Sequence, residues 1–107
     1  IRDRESSVIK FSVLYPRKPD AHFDHDYYRD VHLPLLKARM GDKCVAYEID
    51  TPLDSSAPFI AACHVYCNSI EEFQQVIDAH GAEFVADVKN FTNVESQKMV
   101  SEVLHVG

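Results

Sequence analysis

The order in which two periodicities follow one another constrains this chain more than any single motif. "VIKFSVLY" (8–15) sets Ile9, Phe11, Val13 and Tyr15 against Val8, Lys10, Ser12 and Leu14 before Pro16 closes it, the period-two pattern of a strand. "CVAYEID" (44–50) alternates in the same way, and "FIAACHVYC" (59–67) follows after "TPLDSSAP", whose Pro, Asp and Ser residues mark a turn. These two segments read as a hairpin. After the loop "PRKPDAH", Asp24 stands where it can cap a first helix. "SIEE" (69–72) is a capping box, Ile70, Phe73, Val76 or Ile77 and His80 recur at helical spacing, and Gly81 occupies the place of a C-terminal glycine. "AEFVADVKNFTN" reads as a less regular connector with room for a short helical turn, and "VESQKMVSEVLHV" (94–106) returns to a mixed alternation suited to a last strand. The order β-α-β-β-α-β predicts an α+β, ferredoxin-like domain with a four-stranded antiparallel sheet.

Both helices of such a domain cover one sheet face. Ile9, Phe11, Val13, Ala61, Cys63 and Val65 read as an apolar set additional to the helix-facing one, and a second copy of the chain, packed sheet to sheet about a two-fold axis, would cover it. A homodimer is therefore expected. A chain of 107 residues supports one core, so residues 1–107 read as one domain with 1–7 as a flexible N-terminal extension. With 17 acidic against 11 basic residues and a net charge of −6, no basic face is available for nucleic acid or anionic lipid. No apolar run approaches the roughly 20 residues that span a bilayer, and "IRDRESSVIK" lacks the apolar centre of a signal peptide, so a cytoplasmic protein is expected. Cys63 and Cys67 share a strand face but sit too far apart to bridge, which with Cys44 leaves three free thiols, none with a partner at bridgeable spacing.

"FDHDYYRDVHLPLL" (23–36) carries the chemistry. On a helix Asp24, Tyr28 and His32 line up along one side, and Tyr27, Val31 and Leu35 form a neighbouring apolar stripe. Pro34 cannot donate to the Asp30 carbonyl and pushes Leu33 from helical angles, so the helix is expected to stop or kink at 32–34 and open a cavity beside His32. A phenol and an imidazole against an apolar pocket make a proton-transfer pair, with His32 as general acid or base and Tyr28 orienting it or bonding a substrate oxygen. The alternative is that the two only shape the fold. Tyr15, Tyr27, His64 and Tyr66 are candidate substrate contacts, with Tyr15, His64 and Tyr66 expected to line the same pocket as His32. His22, His25, Asp24 and Asp26 resemble a ligand cluster, but His22 lies outside the helix and the others point several ways around it, so no metal is expected.

"VLYPRKPDAHFDHDYYRDVHLPLL", with its Phe-Asp-x-Asp-Tyr-Tyr-x-x-x-His-x-Pro-Leu spacing, resembles the EthD family, named for ethyl tert-butyl ether degradation. "HVYCNSIEEFQQVIDAHGAEFVADVKNFTNVE" is similar to the family's second segment, with its Asp-x-x-Asn-Tyr/Phe-Thr signature; Asp20-Ala21 replaces the usual glycine-containing turn, and Phe91 stands where tyrosine is common. The resemblance implies a dimeric α/β barrel and a pocket for small, often aromatic compounds. It implies a cofactor-independent enzyme of a catabolic or biosynthetic pathway, xenobiotic degradation included, with oxidoreductase or monooxygenase chemistry on an oxygenated aromatic or quinone-like molecule. Isomerisation, cyclisation or decarboxylation on the same barrel, or a carrier accessory to an oxygenase, are the alternatives. Asp87, Asn90 and Thr92 carry over from the second signature, expected chiefly to fix the connector, with a place for Asn90 at the pocket rim.

Overall fold

A computed structural model describes residues 8–107; the expected N-terminal extension, 1–7, lies outside the described residues. Strand β1 is Ile9–Pro16, β2 Cys44–Asp50, β3 Phe59–Cys67 and β4 Gln97–Glu102. They form one antiparallel sheet in the order β2-β3-β1-β4, the ferredoxin-like arrangement. The hairpin strands fall at the bounds read from the sequence, whereas the last strand is shorter than the 94–106 expected.

The first helical run does not break at Pro34. Helix α1 (His25–Tyr27) is capped by the Asp24 carboxylate, which accepts from the Tyr27 N–H at 3.0 Å. It passes into a π turn over Tyr28–His32, where the Leu33 N–H reaches back to the Tyr28 carbonyl, and then into helix α2 (Leu33–Met40) with Pro34 in its first turn. A π turn is wider than an α turn and eases the approach of the Pro34 ring to the Asp30 carbonyl, so Leu33 keeps helical angles (φ −66°, ψ −39°). The extra residue also shifts the helical phase. Tyr28, His32, Leu33, Leu36 and Met40 are buried, while Val31 of the expected apolar stripe is 45% exposed. Gly41 then turns the chain towards β2 with φ 57°, a conformation open to glycine.

Helix α3 (Ile70–Asp87) starts as expected, with the Ser69 hydroxyl accepting from the Glu72 N–H at 3.1 Å. It does not end at Gly81. Ala82, Glu83 and Ala86 follow that glycine, and Phe84, buried on the core side, rewards the nearly two further turns to Asp87 at a cost of about 1 kcal/mol for the glycine itself. The connector is therefore helical to Asp87 and closes with a 3-10 turn, Val88–Asn90. Arg39 pairs with Glu83 through two bonds of 2.8 and 2.9 Å and ties α2 to α3.

The faces of the sheet are the reverse of those expected. Val13, Ala61, Cys63 and Val65 are buried beneath the helices, so the apolar set expected on the free face is the helix-facing set itself. Alternation then puts Lys10, Ser12 and Leu14, their β3 neighbours Ala62, His64 and Tyr66, and Glu48 and Asp50 on the uncovered face. Five of its polar side chains pair with one another: Ser12 Oγ lies 2.8 Å from His64 Nδ1, His64 Nε2 lies 3.1 Å from Asp50 Oδ2, and the Tyr66 hydroxyl donates to Glu48 at 2.9 Å. The three cysteines are free and buried, yet Cys44 and Cys67 are direct partners across β2 and β3, so these two do share the neighbouring position that the sequence spacing did not show.

Candidate functional site

Between the helix-facing side of the sheet and α2 and α3 lies a cavity of ≈ 980 Å³, at the upper end of the roughly 300–1,000 Å³ of small-molecule sites. Its wall is mostly apolar: Phe11 and Val65 from the sheet, Leu36 and Met40 from α2, Phe73 and Val76 from α3. Tyr15, Tyr28 and His32 also line it. The Asp87 carboxylate fixes the imidazole: His32 Nδ1 lies 2.8 Å from Asp87 Oδ2, the His32 side chain 8% and that of Asp87 14% exposed. Asp87 Oδ1 also accepts from the Tyr27 hydroxyl at 2.6 Å and from the Asn90 amide at 2.9 Å.

Three donors on one carboxylate settle its charge. Burial pushes the Asp87 carboxyl up, and the bonds from Tyr27, Asn90 and His32 more than offset this, leaving it below the ordinary value of 3.8. An ionised carboxylate only accepts, so His32 Nδ1 carries a proton. In the neutral ring Nε2 is then a lone-pair acceptor, and it makes no hydrogen bond among the described residues. Donation to the Asp87 carboxylate is the chief cause that raises the Tyr27 phenol above its ordinary value.

Tyr28 does not hold His32 through a hydrogen bond. The two rings stack, centroids 5.5 Å apart and 12° from parallel, and Phe91 packs on both. At 1% exposure, burial drives the Tyr28 phenol far above its ordinary range, and Tyr15 is likewise pushed up to about 12, chiefly by burial. Both phenols stay neutral. The orienting part expected of Tyr28 thus falls to Asp87, which the sequence had assigned to fixing the connector.

The remaining candidates separate. Tyr27 and Asn90 meet at Asp87 and are not among the residues lining the cavity. His64 and Tyr66 lie on the opposite sheet face from His32, because alternation along β3 turns Cys63 and Val65 to the helices. Thr92 and Asn93 do the connector's stapling: the Thr92 hydroxyl donates to the His22 carbonyl at 2.7 Å, and the Asn93 amide bonds the Asp20 carbonyl and the His22 N–H at 2.9 and 3.0 Å. Among the described residues no three His, Cys, Asp or Glu converge as a metal-binding group.

A ferredoxin-like domain with a histidine–aspartate pair at an apolar cavity defines the class. The EthD domain matches residues 19–95, and the chain belongs to the EthD family. An EthD-like protein from Ralstonia eutropha JMP134 is 38% identical, with 94% of this chain and 95% of that one aligned at a TM-score of 0.83. An EthD family protein from Bacillus halodurans C-125 is 19% identical over 91% of this chain and 99% of that one, TM-score 0.70. SnoaB, a cofactor-independent oxygenase from Streptomyces nogalater, shares the fold at 7% identity over 94% and 96%, TM-score 0.66. No curated protein matches the sequence.

Replacing Asp87 by Asn removes the ionised acceptor without changing shape. The variant is expected to lose about 1.5–3 kcal/mol at neutral pH in denaturant titration. Because the folded carboxyl titrates below its ordinary 3.8, its stabilisation is present above that value and lost as pH falls through the lower folded one. Asp87→Asn should accordingly show a shallower acid loss of stability than the parent; an unchanged acid limb would contradict the arrangement.

Proposed function

We propose that this EthD protein is a cofactor-independent enzyme acting on a hydrophobic, oxygenated aromatic or quinone-like small molecule, with His32 as general base. The observation that carries the proposal is the His32–Asp87 pair, with Nδ1 bonded to a carboxylate and Nε2 without a hydrogen bond among the described residues, in a ring that lines the cavity. Nε2 removes a proton from a phenolic hydroxyl or an acidic carbon of the substrate, and Asp87 stabilises the imidazolium that forms. The electron-rich anion produced is the species that dioxygen from solution oxidises, which favours oxidoreductase, monooxygenase-type chemistry in a catabolic pathway such as xenobiotic degradation. The name of the structurally similar Streptomyces oxygenase supports this direction. Tyr28 and Tyr15, neutral and at the cavity wall, contact the bound ring system.

We further propose that the domain works as a cytoplasmic homodimer joined through the uncovered sheet face. That face combines Leu14 and Ala62 with the Ser12–His64–Asp50 and Tyr66–Glu48 side-chain bonds, so these groups keep their partners when it is covered, while the Lys10 ammonium lies 5.9 Å from the centre of the Tyr66 ring. Among the described residues no helix is long and apolar enough to cross a membrane.

His32→Ala is expected to lower turnover of a phenolic or quinol substrate by about 10²–10⁴-fold. His32→Asn, which keeps a hydrogen-bonding side chain for Asp87 but relays no proton, should be as slow. An Asn variant with full turnover would make the histidine structural, and a protein that binds such compounds without converting them would be a carrier. For the assembly, light scattering is expected to give twice the chain mass, with Leu14→Asp shifting it to the monomer; a parent protein monomeric at micromolar concentration would refute the dimer.

A further inference from the structure

The cavity is lined by two of the chain's six lysines, Lys89 and Lys98, and, among the described residues, by a single acidic side chain, Glu95. In a chain of net charge −6 this is a local reversal of sign. Both lysines are exposed, Lys89 in the 3-10 turn behind α3 and Lys98 in β4, opposite Val13 on the helix-facing side, so they stand where the apolar wall meets solvent. Lys98 Nζ donates to Ser96 Oγ at 2.7 Å, and Ser96 lines the cavity as well; Lys89 makes no hydrogen bond or ion pair among the described residues. The neighbouring polar side chains are committed elsewhere, Thr92 and Asn93 to the 20–22 backbone. The ammonium groups are the donors left over for a ligand.

We propose that the cavity takes an amphipathic monoanion, its ring-bearing apolar body inside and a carboxylate or similar single negative charge held at the mouth by Lys89 and Lys98. Apolar walls on one side of the pair keep its field from being fully screened and concentrate anions at the entrance. Glu95 opposes part of that field, so the rim carries a net charge of about +1, which suits one negative charge better than a phosphate or a dianion. His32, also on the cavity wall, stays free for the proton transfer described above. The proposal rests on the cavity being the small-molecule site and adds the ionic handle of its substrate.

Two fluorescent probes of one shape test it: anilinonaphthalene sulfonate, which is anionic, and its uncharged parent, phenylnaphthylamine. The unmodified protein is expected to bind the sulfonate more tightly, with the difference closing at high ionic strength. Lys89→Gln combined with Lys98→Gln should weaken the sulfonate by about tenfold and the parent by less than about twofold, while Glu95→Gln should tighten the sulfonate alone. Equal losses for both probes, or a sulfonate indifferent to the lysines while the parent still binds, would overturn the ionic handle and leave the cavity as the site. Failure of the unmodified protein to bind either probe would overturn both. Circular dichroism of the variants separates lost binding from lost fold.

Discussion

The Asp87 carboxylate is the constraint on which the rest of the site depends. It is the last residue of α3, yet its partners Tyr27 and His32 belong to the first helical run, so one charge fastens the two helical segments together. Hydrogen bonds to an ionised acceptor are about twice as strong as neutral ones, and three of them converge here. The same bonds choose the tautomer of His32. Without the carboxylate, nothing in its surroundings would tell the ring which nitrogen to turn to the cavity.

The helical geometry serves that contact. A regular α-helix through Pro34 would set the proline ring against the Asp30 carbonyl, and a broken one would release His32 from its place beside Phe91. The π turn over Tyr28–His32 avoids both outcomes and buries Tyr28 and His32 together. Phe91, which touches Tyr15, Phe23, Tyr27, Tyr28 and His32, carries the connector into the same cluster, and its backbone carbonyl accepts from the Asp24 N–H at 2.8 Å. Apolar packing thus holds the histidine–aspartate pair at the edge of a cavity instead of in bulk water.

The topology was legible because it depends on local periodicity and turn chemistry, and β2, β3 and the start of α3 fall where Cys44–Asp50, Phe59–Cys67 and Ser69 place them. The sheet faces were not. Val13 and Leu14 are equally apolar, and which one meets the helices is decided by packing across the sheet, so His64 and Tyr66 were placed beside His32 when they lie behind it. Gly81 suggested an end to α3 because glycine ends many helices, whereas Phe84 and Asp87 have partners that only the folded molecule supplies. Asp87 itself stood in the second family signature, but its pairing with His32 spans 55 positions and leaves no local trace. A sequence signal did exist: two motifs of one family, each carrying a titratable group, are worth pairing before either is given a purely structural part.

Nitrogen-15 and proton correlation spectra of the His32 ring test the tautomer most directly, recorded on the intact protein at a pH where the ring is neutral. A proton bound to Nδ1, protected from exchange and shifted downfield by the carboxylate, with Nε2 resonating as an unprotonated nitrogen, is the expected result, and the assignment should be lost in Asp87→Asn. A ring protonated at Nε2, with Nδ1 bare, would contradict it, because the base would then have no lone pair facing the cavity.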